Sequence, residues 1–306
     1  MTPDTLVALT AADSMWFAPG SQWKYDNTGY VLLGMLIEKL AGRPWGTDLE
    51  ERFTRPLGLS DTRNCLAAPV VPRRVRGYEA EGKGWTNAAY LAMSQPYAAG
   101  AICSTVGDLV KWNRALHTGK VVSAASYALM TTPEGAAARG PLHYGFGLAS
   151  DTIGGRPMIT HGGGIHGFIS ANVWVPSAEL SVTVLTNSGS APAGPLQRQL
   201  TLAALDMPLD KPAKTVPLAA ADRLKYVGVY ALALPGGPRD FTIAEQGDQL
   251  TAQLAGQGAN PMLYYGDDTF GMSFDPALRM IFTVEGGRAT KMVLLQGGGR
   301  FEGVRK

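Results

Sequence analysis

The sequence predicts a mixed α+β domain followed by a small all-β domain, and three observations carry that prediction. Apolar residues recur at helical spacing after Asn27. Strand signals then follow one another between residues 144 and 186 and give way to one more helix. Beyond a joint marked by Pro208, Pro212 and Pro217, short strands parted by Gly, Asp and Pro take over. A chain of 306 residues holds one large domain or two smaller ones. The division expected here is residues 1–207, a linker at 208–217, and residues 218–306.

In chain order, Leu6 and Leu9 sit at the end of a short helix, and Pro19-Gly20 interrupts it. Tyr30, Leu33, Gly34, Ile37 and Leu40 have helical spacing, and Gly42 ends the run. Being apolar nearly all round, this helix is expected to be central rather than superficial. A shorter helix over residues 46–53 precedes the turn Arg55-Pro56-Leu57-Gly58. Residues 60–98, punctuated by Pro69, Pro72, Gly77, Gly82, Gly84 and Pro96, read as an irregular excursion of the kind used for binding or as a lid. Trp85, Tyr90 and Tyr97 there either line a pocket or pack. Thr105 with Asp108 reads as a cap for a helix that Gly119 stops.

Strands are expected at 144–148, 158–160, 168–175 and 180–186, with Pro176-Ser177 turning the last pair and a helix over 194–205 closing the unit. In the second unit the strands expected are 226–230, 241–245, 249–254, 269–274, 279–285 and 291–296, forming a small barrel or sandwich.

Composition excludes several classes. The net charge of +2 and the lack of a long Lys/Arg run argue against a nucleic-acid partner. No apolar run is long enough for a membrane span. Met1-Thr2-Pro3-Asp4 lacks the basic and apolar regions of a signal peptide, which leaves the compartment open. Cys65 and Cys103 make no disulfide framework and are expected as two buried or half-buried thiols. No Cys/His spacing resembles a metal site, and no cofactor is expected.

The chemistry concentrates in two stretches. Tyr25-Asp26-Asn27 follows Phe17-Ala18-Pro19-Gly20 and places a phenol and a carboxamide at the mouth of the apolar helix. His161-Gly162-Gly163-Gly164 leads to Gly167-Phe168. Together with Ala99-Gly100, Ser104-Thr105, Asp108-Leu109 and Tyr144-Gly145-Phe146-Gly147, in this order, these motifs resemble the β-lactamase-related serine hydrolases. That family includes class C β-lactamases, D-alanyl-D-alanine carboxypeptidases, D-aminopeptidases and esterases. The resemblance covers about residues 14–190. It implies an antiparallel sheet flanked by helices, with a helical region. The C-terminal strands resemble the lipocalin-like domain appended to such hydrolases.

Three elements meet at the family's site: Ser-x-x-Lys, Tyr-x-Asn and a Lys/His-x-Gly strand. The resemblance implies that Tyr25 shuttles the serine proton and that a neighbouring positive charge depresses its phenol. Asn27 would hold the substrate amide or the lysine. His161 would lend charge, Gly163 would admit the substrate backbone, and the Gly164 N–H would be an oxyanion donor. A small-molecule or peptide substrate, hydrolysed as an ester, amide or β-lactam through an acyl-enzyme, is the implied function.

The nucleophile is the departure. In the family Ser-x-x-Lys lies well upstream of Tyr-x-Asn, whereas 24 residues precede Tyr25 here. The N-terminal nucleophile segment is therefore expected to lie outside this chain, with a homodimer or a complementing N-terminal fragment as the partner. Ser21-Gln22-Trp23-Lys24 spells Ser-x-x-Lys, and on a helix Ser21, Lys24 and Tyr25 would share a face. Pro19-Gly20 and the resemblance both put Ser21 in a loop instead. His161-Gly162-Gly163-Gly164 also resembles a lipase oxyanion loop, but the Gly-x-Ser-x-Gly elbow such enzymes need does not occur. A non-catalytic homologue that binds peptides, cell-wall fragments or a partner chain is the alternative.

Overall fold

The computed structural model describes residues 2–11, 14–65, 70–81, 84–140, 142–210, 214–234, 237–255, 258–272, 275–296 and 299–306. Pro69, Gly82, Pro212 and Phe274, all singled out in the sequence, lie outside the described residues. The chain separates into two compact units, residues up to Leu209 and residues from Asp210 onward.

Helices α1 (Pro3–Ala11), α2 (Asn27–Ala41) and α3 (Trp45–Leu49) open the first unit, and a π-helical turn over Glu50–Thr54 extends α3. The short strand β1 (Arg63–Asn64), the hairpin β2 (Tyr78–Glu81) with β3 (Gly84–Asn87), α4 (Tyr97–Gly100) and β4 (Ile102–Cys103) follow. Then come α5 (Val106–His117), α6 (Ala124–Thr131) and α7 (Gly135–Ala138). Strands β5 (Ala149–Ile153), β6 (Arg156–Ile165), β7 (Phe168–Val175) and β8 (Leu180–Thr186) form one antiparallel sheet in that order, and α8 (Ala193–Ala204) ends the unit.

α2 starts where Asp26, in extended backbone, accepts the Thr28 N–H at 2.9 Å and so satisfies one of the helix's orphan donors. Its inner face is narrow. Val31 and Gly34 are buried, and Gly34 is needed because any Cβ there would collide with Ala98 on α4. The rest corrects the expectation of a central helix: Leu32, Leu33, Leu36, Ile37 and Leu40 are all exposed, Leu40 to 78%. An apolar stripe is buried only if something covers it, and among the described residues of this unit nothing does.

α5 seats on the sheet through a buried polar lock. Asn113, 1% exposed, donates to Asn172 Oδ1 at 2.7 Å and to Ser181 Oγ at 2.7 Å. Asn172 returns a bond to Asn113 Oδ1 at 2.9 Å, and Thr183 donates to Asn172 Oδ1 at 2.6 Å. Thr105 caps α5 by accepting the Asp108 N–H, as the spacing predicts. The buried Asp108 carboxylate then takes the Asp61 N–H and the Thr62 hydroxyl, tying the chain after α3 to α5.

Several other expectations change. Cys65 and Cys103 are not free thiols: they form a disulfide that fastens the two-residue β1–β4 ladder. Residues 144–148 supply a single bridge, Tyr144 to Ala149, and the strand itself begins at Ala149. Within the irregular excursion, Tyr78–Asn87 is a hairpin, Tyr97 packs edge-on against Trp45 in the core, and Trp85 and Tyr90 are exposed.

In the second unit a short helix α9 (Ala220–Arg223) leads into β9 (Gly228–Leu234), β10 (Gly237–Gln246), β11 (Gln249–Leu254), β12 (Asn260–Gly266), β13 (Thr269–Met272), β14 (Asp275–Glu285), β15 (Arg288–Gln296) and β16 (Gly299–Arg305). They close into an eight-stranded barrel because β9 pairs with both β10 and β16. Alternating inward residues fill it, among them Tyr230, Leu232, Phe270, Met280 and Phe282.

Candidate functional site

The stretch that leads into α2 and the far half of β6 come together. Residues 22–26 are neither helix nor strand, and α2 begins only at Asn27, so Tyr25 lies ahead of the helix mouth rather than along it. Its ring stands edge-on to Tyr144 with centroids 5.6 Å apart, stacks on Tyr30 at 6.4 Å and lies 6.3 Å from the His161 ring. Tyr25 is 38% exposed, which leaves its phenol within reach of a ligand.

A hydrogen-bond relay runs behind it. Tyr30 OH is 3.2 Å from Tyr144 OH, and Tyr144 OH is 2.8 Å from His161 Nε2. His161 Nδ1 lies 2.6 Å from the Gly162 carbonyl oxygen. A carbonyl only accepts, so Nδ1 carries a proton. With the ring neutral, Nε2 accepts from Tyr144, and the Tyr144 oxygen in turn accepts from Tyr30. Burial, then the Tyr30 hydrogen bond, push the Tyr144 phenol far above its ordinary value, so it stays a neutral donor. The relay was missed in the sequence, where Tyr30 was read as one of the helically spaced residues of α2 and Tyr144 only as the start of the Tyr144-Gly145-Phe146-Gly147 motif. That motif was the one signal available for Tyr144.

Tyr25 departs from what the resemblance implies. Its phenol is raised, first by burial and then by Tyr30, rather than depressed. The nearest cation in sequence, Lys24, places Nζ over the Trp16 ring, 2.9 Å from its centroid. Ser21 lies in a turn, and its hydroxyl donates to the Ala18 carbonyl at 2.7 Å. Ser21, Lys24 and Tyr25 therefore do not share a helical face. Asn27 is the first residue of α2 and is exposed, with Asp26 acting as the cap.

β6 offers a free edge. Its ladder with β5 ends at Ala149–Thr160, whereas its ladder with β7 continues from Ile159 to Ile165. Among the described residues, His161 to Ile165 thus have no strand on the β5 side, and Gly162, Gly163 and Gly164 are exposed. A methyl on Gly163 would stand 2.8 Å from Ser170 Oγ, so the backbone there is kept bare. A cavity of about 260 Å³ opens beside Tyr25, with Trp23, Tyr30, Tyr144 and Phe146 among the residues that line it. Glu134 contributes a carboxylate to its wall.

An antiparallel sheet backed by helices, a Tyr-x-Asn turn and a His-x-Gly edge strand define the β-lactamase and transpeptidase class of fold. The family model described as Beta-lactamase matches residues 2–206, and the chain belongs to that family. It is 26% identical over 197 residues to a D-aminopeptidase of Gluconobacter oxydans (strain 621H), a match covering 64% of this chain and 37% of that protein. It is 28% identical over 202 residues to a D-aminopeptidase of Brucella canis, covering 65% and 38%. The chain thus spans well under half the length of these curated relatives. Among solved structures it resembles a D-stereospecific amidohydrolase from Streptomyces sp. (TM-score 0.56, 32% identity, 62% of this chain and 57% of that one). The octameric penicillin-binding protein homologue from Pyrococcus abyssi shares the fold over 99% of this chain and 70% of its own (TM-score 0.61, 22% identity). Among the described residues, no helix is long and apolar enough to cross a membrane.

Proposed function

We propose that this chain carries two of the three parts of an acyl-transfer site that hydrolyses an amide or ester of a D-amino acid. Tyr25 is the proton carrier, and Asn27 anchors the substrate amide. His161 orients the Tyr144 hydroxyl and adds positive charge when protonated. Gly163 admits the substrate backbone, and the Gly164 N–H stabilises the oxyanion. The serine nucleophile and its lysine come from polypeptide outside these residues. The single observation that carries this reading is the meeting of Tyr25 with the Tyr144–His161 relay beside an unpaired, glycine-bare strand edge. The choice of D-amino acid substrates leans on the relatives, which are D-aminopeptidases and a D-stereospecific amidohydrolase.

The raised Tyr25 phenol fits an incomplete site. A proton acceptor needs its pKa brought down, and an ammonium within about 4–6 Å does so. The same observation favours the second reading, a non-catalytic homologue whose neutral Tyr25 only binds a peptide or partner chain.

The test is direct. The 306-residue chain is incubated with a fluorophosphonate, a p-nitrophenyl ester and a chromogenic cephalosporin, and its intact mass is measured. No adduct and no turnover are expected. An adduct lost in Ser21→Ala would place the nucleophile at Ser21 and sink the proposal. Where the DNA upstream of Met1 encodes an in-frame Ser-x-x-Lys, the extended polypeptide is expected to cleave a D-amino-acid p-nitroanilide. Tyr25→Phe should then lower kcat/KM by about 10²–10⁴-fold. Turnover indifferent to Tyr25→Phe would remove Tyr25 from the chemistry.

A further inference from the structure

The free edge of β6 ends at the turn His166–Gly167, and that turn is held by the segment preceding the β2–β3 hairpin. A methyl on Gly77 would meet Gly167 Cα at 3.0 Å, so the two backbones touch. Gly167, in left-handed backbone at φ 72°, donates its N–H to Glu79 Oε1 at 2.7 Å. The Tyr78 N–H donates to the Asn187 carbonyl, and Asn187 Nδ2 donates to the Arg76 carbonyl, both at 3.0 Å. The backbone from Arg76 to Glu79 is therefore stitched to the end of the sheet beside the candidate site.

Arg73, Arg74 and Arg76 lie in this segment. Three guanidiniums in four residues stand out in a chain whose 27 basic and 25 acidic residues nearly balance. All three are exposed, and among the described residues none has a side-chain partner. His166, on the turn itself, is exposed as well. The opposing charges are Glu79, committed to the Gly167 N–H, and Glu81, exposed on the hairpin. At about 3.3 Å per residue, an extended ligand on the β6 edge at Gly163 runs past Ile165 and reaches the Gly167 turn, against which the backbone of Gly77 packs next to Arg76, within about four residues. Guanidinium groups pair carboxylates in a planar, two-pronged geometry, and these three are left free to do so.

We propose that Arg73, Arg74 and Arg76 form a specificity strip that selects acidic peptides, pairing with a carboxylate on the part of the ligand that extends beyond Ile165. This rests on reading His161–Gly164 as the substrate edge, so binding rather than turnover is measured.

Two dansylated D-alanine tripeptide amides, differing only in D-glutamate or D-glutamine at one end, are titrated into the full chain by fluorescence anisotropy, with the exchange made at each end in turn. The D-glutamate peptide is expected to bind about tenfold more tightly at low salt in one of the two placements, the scale of a few exposed ion pairs. The preference should fall below about twofold in the triple variant R73Q/R74Q/R76Q and in about 0.5 M salt. The D-glutamine peptide should bind wild type and variant alike. Equal binding of both peptides at both ends would overturn the strip and leave the edge standing. Failure of every peptide to bind would overturn the edge and the strip with it. An acid preference that survives the triple variant, or arginine-dependent binding of an oligonucleotide that leaves the peptide bound, would also overturn the proposal.

Discussion

His117 shows what one half-buried titratable side chain does in this fold. Its ring stacks on Trp174 with centroids 5.1 Å apart, and its Nδ1 lies 2.6 Å from Tyr127 OH. Burial lowers its pKa to about 4, from the 6.5 of an exposed imidazole. The unfolded chain therefore binds a proton that the folded chain refuses across that window. Stability from this group is complete above the unfolded value and is lost as pH falls toward the folded one. The midpoint of urea unfolding should drop between about pH 7 and pH 5, and His117→Gln should make that drop smaller. An equal drop in both proteins would show that carboxylates alone set the acid sensitivity. At this scale the sequence was legible in part. Tyr25, Asn27, His161, Gly163 and Gly164 were recognisable as residue types in order. The relay through Tyr30 and Tyr144 was not, because an aromatic facing its own core and an aromatic facing a site have the same local pattern.

Elements explain which expectations changed. Strand β6 runs from Arg156 to Ile165, well beyond the three residues with clear strand pattern, because its Gly-rich half owes its extension to pairing with β7 rather than to propensity. Strand β12 contains Pro261 and escaped notice for the reason prolines normally argue against strands. The disulfide was illegible because two cysteines 38 residues apart have no spacing that distinguishes a bond from two thiols. It makes a clear prediction. β1 and β4 are two residues each, too short to hold by hydrogen bonds alone, so the Cys65–Cys103 bond is their main fastening. Cys65→Ala/Cys103→Ala should cost about 2–4 kcal/mol of unfolding free energy. Reducing agent should lower the wild-type thermal midpoint and leave that of the double variant alone. A wild-type midpoint indifferent to reductant would mean the bond adds nothing to the fold.

At the scale of the first unit, a run of exposed apolar residues lies on α2. That helix carries the candidate site at its N-terminal mouth and an apolar stripe along its outer face. Leu32, Leu33, Leu36, Ile37 and Leu40 are each between 42% and 78% exposed, and Glu38 and Lys39 are the helix's only charged residues. The all-round apolar pattern predicted a helix central to a domain. The helix is instead exposed along that face, because among the described residues of the unit nothing covers it. Each half-exposed leucine forgoes about 1 kcal/mol of burial, so the stripe as a whole is adhesive by several kcal/mol. The isolated chain should therefore satisfy the stripe with itself. Sedimentation velocity is expected to show concentration-dependent association that Leu33→Glu/Leu36→Glu abolishes. Because both positions are solvent-facing, the double variant should keep the wild-type far-UV spectrum and urea midpoint. A wild-type chain that stays monomeric throughout, with no dye binding to exposed apolar surface, would show that α2 needs no partner.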